Sequence, residues 1–488
     1  MLSRSIVIAS ALLLASTAHA AGPYQPPGAN LTLGDVSHGL RVRTATSNPA
    51  AAAAEAARAG GNTAARGTVL TGAGGIEYGN VDNLFELYDE ISGAYKPSDP
   101  DDGVDLPGQL PEQKPGGIDL GQIWNALDPD VQAAIETLAR EVATQTAALL
   151  VIGEEAYARA WLAADAPVVL GGNALNGTWT FGVSWSGSSR AFGVVQAIQF
   201  DRDVARQALE DWFNDLPINR PPVIELSEEV QLVVDPVTNA VLFTLENDSS
   251  LISKSTQTTR LSLGYSRPAW ASERGTLYLG AEAHAYIMEL SRYTARLGDI
   301  TDAEALFDEI RNADFRTDER LGLDVGALWV GENYQLGAQI TNVNEPKFTF
   351  PEVNLTPYRT ASAIQFLVGD AKYVMDRQLK LEGSWFSRER RWSAHFGIDA
   401  DSVKDPLGDR YQWVTLSGNF SNEDSWLPGA RIGVRHNLAG TEKTYLSLGV
   451  TAFEFFNFDI SSALDTVEIS GDTLPQGLMA SIGFRITW

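Results

Sequence analysis

Toward the end of the chain apolar and polar residues alternate without a break. Leu478, Ala480, Ile482, Phe484, Ile486 and Trp488 share one parity, and Met479, Ser481, Gly483, Arg485 and Thr487 share the other. Period two marks a β-strand whose faces meet different surroundings. The same rhythm recurs in Trp179–Trp185, Leu261–Tyr265, Leu277–Ala285, Leu321–Trp329, Tyr334–Ile340, Leu379–Trp385, Trp392–Ile398 and Ala430–Val434. In each, the intervening residues are largely Gly, Ser, Gln or charged.

These segments run to about ten residues, the length of a tilted strand crossing a bilayer. A soluble sandwich also alternates, but it buries its apolar faces against each other and seldom needs so many. A closed barrel turns the apolar face to lipid and the polar face to a lumen, and closure is needed because hydrocarbon offers an open edge no hydrogen-bond partner. The expected fold is all-β, a transmembrane antiparallel β-barrel over residues 176–488. At roughly 22 residues per strand and connection, that stretch gives about 14 strands, within a range of about 12–16. Trp179, Tyr265, Trp329, Tyr334, Trp385, Trp392, Tyr411 and Trp413 sit near segment ends and suit interfacial girdles; packing in an ordinary strand-rich core is the other reading.

The N-terminal part reads differently. Arg4, the apolar run Ile6–Ala15 and Ala18-His19-Ala20 form a secretory signal over residues 1–20. The longest apolar run after it, Ala147–Gly153, is far too short to span a membrane as a helix. The expected destination is the bacterial outer membrane. Residues 21–80 are expected to form a plug or hatch, with Asn48-Pro49-Ala50 opening a short helix over Ala50–Ala59. Residues 81–175 read as a Pro/Asp-rich loop followed by a helical insert, with helices over Pro129–Leu150 and Glu154–Ala164. Acidic helical inserts at Asp203–Leu216 and Thr301–Ala313 read as caps at the barrel rims.

Composition narrows the chemistry. The formal charge is −26 and there is no cysteine. The acidic balance argues against a nucleic-acid partner, and the missing thiols remove disulfides, thiol nucleophiles and cysteine-held metals. The histidines are His19, His38, His284, His395 and His436, with no H-E-x-x-H pattern. There is no G-x-S-x-G elbow. Gly72-Ala73-Gly74-Gly75 lacks the Lys-Ser/Thr of a phosphate loop and reads as a turn. Asp99–Asp105 is rich in oxygen but does not keep calcium-loop spacing. No catalytic residue, cofactor or metal is therefore assigned. Asp324, Glu382, His395, Arg431, Arg435 and Arg485 fall on polar strand faces and are expected to line the lumen. Arg388, Arg390 and Arg391, beside Trp385 and Trp392, read as a rim turn or as a contact for anionic lipid. The expected partners are outer-membrane lipids, the barrel-assembly machinery through the C-terminal strand ending at Trp488, and envelope or conjugation proteins.

A family resemblance rests on Leu321–Trp329, Tyr334–Phe348, Asn48-Pro49-Ala50, Gly429–Leu438 and Leu474–Trp488. These stretches resemble outer-membrane proteins called conjugal transfer protein TraF and, more distantly, long-chain fatty acid transporters of the FadL type. The FadL resemblance implies a barrel with an N-terminal plug that passes hydrophobic compounds. The TraF resemblance implies an envelope protein tied to conjugation or secretion. An unrelated thioredoxin-like protein shares the TraF name, and its thiol chemistry is impossible without cysteine. The helical insert expected at 119–164 departs from the FadL pattern. Three roles follow: a plugged barrel that binds or passes a small hydrophobic compound, a scaffold for an envelope machine, or an outer-membrane enzyme, which would need a constellation the sequence does not show.

Overall fold

A computed structural model describes residues 30–37, 48–58, 60, 67–79, 104–109, 157–170, 176–194, 207–208, 211, 223–225, 230–234, 240–245, 248–296, 299, 303–421, 428–453, 455–469 and 472–487. Alternating side chains give strands, and the strands close on themselves. The barrel strands are β1 (Gly67–Tyr78), β2 (Tyr157–Val169), β3 (Thr178–Val194), β4 (Ser250–Ser272), β5 (Gly275–Arg296), β6 (Phe315–Val330) and β7 (Tyr334–Thr341). They continue with β8 (Gln378–Phe386), β9 (Trp392–Asp399), β10 (Trp413–Phe420), β11 (Gly429–Asn437), β12 (Thr444–Ala452), β13 (Phe456–Ala463) and β14 (Gly477–Thr487). Each pairs antiparallel with its neighbours, and β1 pairs with β14, with Gly67 opposite Thr487. No helix among the described residues is long and apolar enough to cross a membrane.

The outer face is apolar and bare. Leu70, Phe181, Leu263, Leu279, Leu336, Leu381, Phe396, Leu416, Ile432, Leu448, Phe458 and Ile482 all point outward and are exposed. The inward parity is polar and buried: Ser262, His284, Gln335, Ser384, His395, Ser417, Arg431, Ser447, Asp459 and Ser481. A water-soluble protein arranges these the other way round, so this inside-out pattern is that of a barrel in lipid.

The two ends of the barrel differ. One carries the short connections 170–177, 273–274, 331–333, 387–391, 421–428 and 453–455; the other carries 79–156, 195–249, 297–314, 342–377, 400–412, 438–443 and 464–476. At the short-turn rim Trp270 lies 5.6 Å from Trp329, whose indole N–H donates to the Tyr334 hydroxyl at 3.1 Å, and Trp385 and Trp392 stand out exposed. This is an aromatic girdle. Helix α3 (Ala303–Arg311) lies in one long-end connection and α4 (Ala361–Gly369) in another. A separate small sheet ties residues 104–109 to 223–225, 230–234 and 240–245.

Four expectations need correction. The barrel begins at Gly67 and not at 176, because β1 and β2 are barrel strands. Residues 67–78 therefore leave the plug, and Gly72–Gly75 within them is paired strand and not a turn; the helix expected over Glu154–Ala164 gives way to β2. Alanine favours helix in isolation, but Tyr157, Arg159, Trp161 and Asp165 face inward and are buried while Leu162 faces out, a period-two pattern fixed by pairing to β1 and β3. Fourth, Tyr411 and Trp413 are not girdle residues. They lie on the inward face and stack at 5.8 Å inside the barrel. The helix expected over Pro129–Leu150 and the Asp99–Asp102 stretch lie outside the described residues, as does Trp488.

Candidate functional site

A barrel with a polar inner wall needs partners for that wall. Two N-terminal stretches supply them. The first holds α1 (Asn30–Leu33), which packs against β10 to β13. Leu31 sits among the inward Trp161, Tyr411, Trp413 and Tyr445, and the Thr32 hydroxyl donates to Asp459 at 2.5 Å. The second holds Asn48-Pro49-Ala50 and α2 (Ala51–Arg58), whose alanine face packs on Tyr278 and Leu328. Proline and alanine suit this position: Pro49 starts the turn, and the alanines let a helix lie flat against a wall without displacing it.

Asn48 is the keystone of the second stretch. Its side-chain amide donates to the backbone carbonyls of Ala327 and Ala338, each at 3.2 Å, and to Glu382 at 3.1 Å, while its Oδ1 accepts from Ala50 N–H at 3.0 Å. The wall is hollowed to receive it. Gly280 and Gly326 face each other on β5 and β6, and a Cβ on either would collide with Pro49 or Asn48. The other carboxylate oxygen of Glu382 accepts from the backbone N–H of Ser37. One side chain thus holds both stretches. Gln335 does the same from β7: it donates to the Ser37 carbonyl and accepts from Arg58 at 2.5 Å.

The wall itself is cross-linked. Arg431 on β11 reaches over Gly449 to grip Asp459 on β13 with two bonds, 2.9 and 3.2 Å, and both side chains are buried. A Cβ at Gly449 would strike the Asp459 carboxylate. Lys380 pairs with Asp35 of the first stretch and stands opposite Asp399. Asp35, Lys380, Asp399, Trp413, Thr415 and Arg435 line a small recess of about 20 Å³, room for a water molecule. Arg435 lies 4.4 Å over the Trp413 ring.

The family described as "F plasmid transfer operon, TraF, protein" matches residues 45–401. The chain belongs to that family. The matched span takes in Asn48, α2 and β1 to β9 of this TraF-family chain. No curated protein matches it. Among solved structures it is similar to a TodX deltaS2S3 mutant monoaromatic hydrocarbon channel, at 11% identity and a TM-score of 0.39, over 91% of this chain and 93% of the other. It is also similar to a FadL homologue of Pseudomonas aeruginosa, at 11% identity and a TM-score of 0.39, over 96% and 99% of the two chains.

In the TraF-family chain Asp324, Glu382, His395, Arg431 and Arg435 face inward, and Arg485 continues the inward parity of β14 at the short-turn rim. They do not form one cluster. His395 is spent on its own wall, with Nε2 at 2.9 Å from Ser393 and Nδ1 at 2.8 Å from Ser384. Asp324 takes His284 at 2.9 Å and the Asn342 N–H at 2.7 Å. Arg390 lies 5.1 Å over Phe386 and bonds the Glu332 carbonyl, and Arg391 pairs with Glu389 at 3.5 Å in the open.

The long-loop mouth was not foreseen as a site. The 342–377 connection folds inward there. Phe348, Phe350, Tyr373 and Met375 pack on Tyr286, Met288 and Leu290 of β5. Asp248 accepts from the Arg359 N–H, the Thr360 N–H and the Thr360 hydroxyl, at 2.9, 2.7 and 2.9 Å, which fastens the N-terminus of α4. The 400–412 connection folds in beside it, with Asp405 and Asp409 on Arg159 at 2.5 and 2.7 Å. Burial holds the Asp405 carboxyl above the ordinary aspartate range in spite of Arg159, and neighbouring Asp409 adds to the rise.

Proposed function

We propose that this TraF-family chain is an outer-membrane barrel closed by its own N-terminal segment, which binds or passes a small hydrophobic compound when that segment shifts. The observation that carries this reading is Glu382 holding Ser37 and Asn48 at once. Apart from Leu31 among its aromatic neighbours and the alanine face of α2 on Tyr278 and Leu328, the closure is made of hydrogen bonds between polar surfaces, which exchange readily with water. The short-turn rim then faces the periplasm and the long connections face outward, the arrangement usual in such barrels. At the outer mouth, Tyr286, Met288 and Leu290 form an apolar patch on an otherwise polar wall that Phe348 and Phe350 of the 342–377 connection cover, and a hydrophobic compound would take their place when the connection lifts. Intact protein in planar bilayers is expected to stay nearly silent, and protein lacking residues 22–60 to conduct. Equal conductance of the two would refute the plug.

A second reading is a scaffold for an envelope machine of conjugation or secretion. The family description and the filled lumen favour it. Cross-linking in intact cells followed by membrane pull-down tests it: a reproducible partner supports a scaffold, and a lone monomer under all conditions counts against one.

A further inference from the structure

Four cations stand side by side inside the long-loop mouth. Arg159 of β2 is directly opposite Arg190 of β3, Arg190 is opposite Lys254 of β4, and Lys254 is opposite Arg292 of β5. At the spacing of neighbouring strands the row spans roughly 14 Å. Like charges opposite each other on paired strands destabilise a sheet. Elsewhere the same wall sets opposite charges across strands, as with Lys380 and Asp399, or Arg431 and Asp459. The row is therefore costly and needs a reason.

On the wall itself, Glu77 of β1 stands opposite Arg159 and is engaged by the Tyr157 and Tyr445 hydroxyls; the other counter-charges among the described residues come from connections. Asp405 and Asp409 of the 400–412 connection sit on Arg159, and Asp409 also reaches Arg190 at 3.1 Å. Asp370, at the end of α4, sits on Lys254 at 2.6 Å and lies 3.9 Å from Arg292. The floor is aromatic: Arg190 lies over Tyr157 and Phe192 at 4.8 and 4.6 Å, and Lys254 over Phe350 at 5.1 Å. Arg292 also donates to the Leu367 and Pro351 carbonyls, while the buried Nε atoms of Arg190 and Arg292 have no hydrogen-bond partner among the described residues. Those two donors are left for another acceptor.

We infer that this row is a binding site for a soluble polyanion entering at the outer mouth, and that Asp405, Asp409 and Asp370 occupy it as built-in surrogates. A ligand with two or more phosphate or carboxylate groups at strand spacing displaces them and frees the two connections that fold in over the row. Fastening alone would be served more cheaply by alternating signs across the strands.

The absence of cysteine makes the test clean. Full-length protein in detergent, labelled with a fluorophore at Asp401→Cys, is titrated at constant ionic strength with tripolyphosphate, with citrate, and with chloride as control. Tripolyphosphate or citrate is expected to bind and shift the label, and the stronger of the two identifies phosphate or carboxylate as the ligand chemistry. Arg190→Gln and Lys254→Gln are expected to weaken binding at least tenfold. Asp409→Asn is expected to tighten it several-fold, a gain that a purely structural aspartate would not give. Heat-modifiable migration on gels confirms that each variant is folded. No binding beyond the chloride control, equal binding by Arg190→Gln, or no gain in Asp409→Asn would each overturn the proposal. The measurement reads binding and not conductance, so it stands apart from the plug test.

Discussion

At the scale of single residues the barrel interior is held by buried polar side chains. Glu382→Ala takes the acceptor of the Ser37 N–H, which costs about 1–3 kcal/mol when that donor stays buried, and leaves the Asn48 amide held only by the Ala327 and Ala338 carbonyls. Amide exchange over residues 48–58 is expected to speed up well before the strands loosen, and hydrogen-exchange mass spectrometry reads the difference. Asp459→Ala leaves Arg431 buried without its carboxylate, which costs about 3–5 kcal/mol. Its unfolding midpoint in guanidinium is expected to fall, and the double change Arg431→Met with Asp459→Leu to recover part of the loss. The polar parity of Glu382, Arg431 and His395 can be read in the sequence, since period two assigns each a face. Their partners cannot. Asp459 is Arg431's counter-ion only because β11 and β13 flank β12 with Gly449 between them.

At the scale of elements, strand existence follows local pattern wherever large apolar residues mark one face. It is lost where that face is small. β1 shows Gly72, Gly74 and Leu70 outward, and β2 shows mainly alanine. Glycine and alanine carry little hydrophobic signal and alanine carries a helical one, so only the paired neighbours on both sides decide the outcome. Helix α2 is legible from Asn48-Pro49-Ala50, but its seat is not, because the seat is two glycines on strands far away in sequence. For the 342–377 connection the fastening is Asp248. Asp248→Ala is expected to make residues 350–370 the first site of limited proteolysis while the barrel stays intact, with the cut mapped by mass spectrometry. Resistance equal to the unmodified protein would show that the apolar packing of Phe348 and Phe350 suffices.

At the scale of the whole molecule, the inside-out distribution of polarity sets where the protein is stable. Leu448 is half exposed in the middle of the outward face of β12, and Ser447 beside it is fully buried. Leu448→Arg is expected to lower stability in lipid by about 2–4 kcal/mol, measured by unfolding from vesicles. A change of the same size in a water-soluble state would argue against a lipid-facing wall. The face changes character toward the long-loop end. Beyond Leu261, Ala285 and Leu321 the outward parity turns to Thr259, Gln257, Glu289 and Glu319, while the inward parity mixes Met288, Leu290 and Ile252 with Thr256, Lys254 and Arg292. The loss of apolar outward residues places the edge of the apolar belt and explains why β4 and β5, at 23 and 22 residues, outrun a bilayer.

The amino-acid sequence alone determined that strands form, which face of each is apolar and that an N-terminal segment stands apart, because these are local matters of side-chain parity and backbone preference. Only the tertiary structure decided that β1 closes on β14, that Glu382 and Gln335 hold the segment inside, and that four cations line up beneath borrowed aspartates. Each of these depends on register between distant strands, and register is set by the whole ring closing at once.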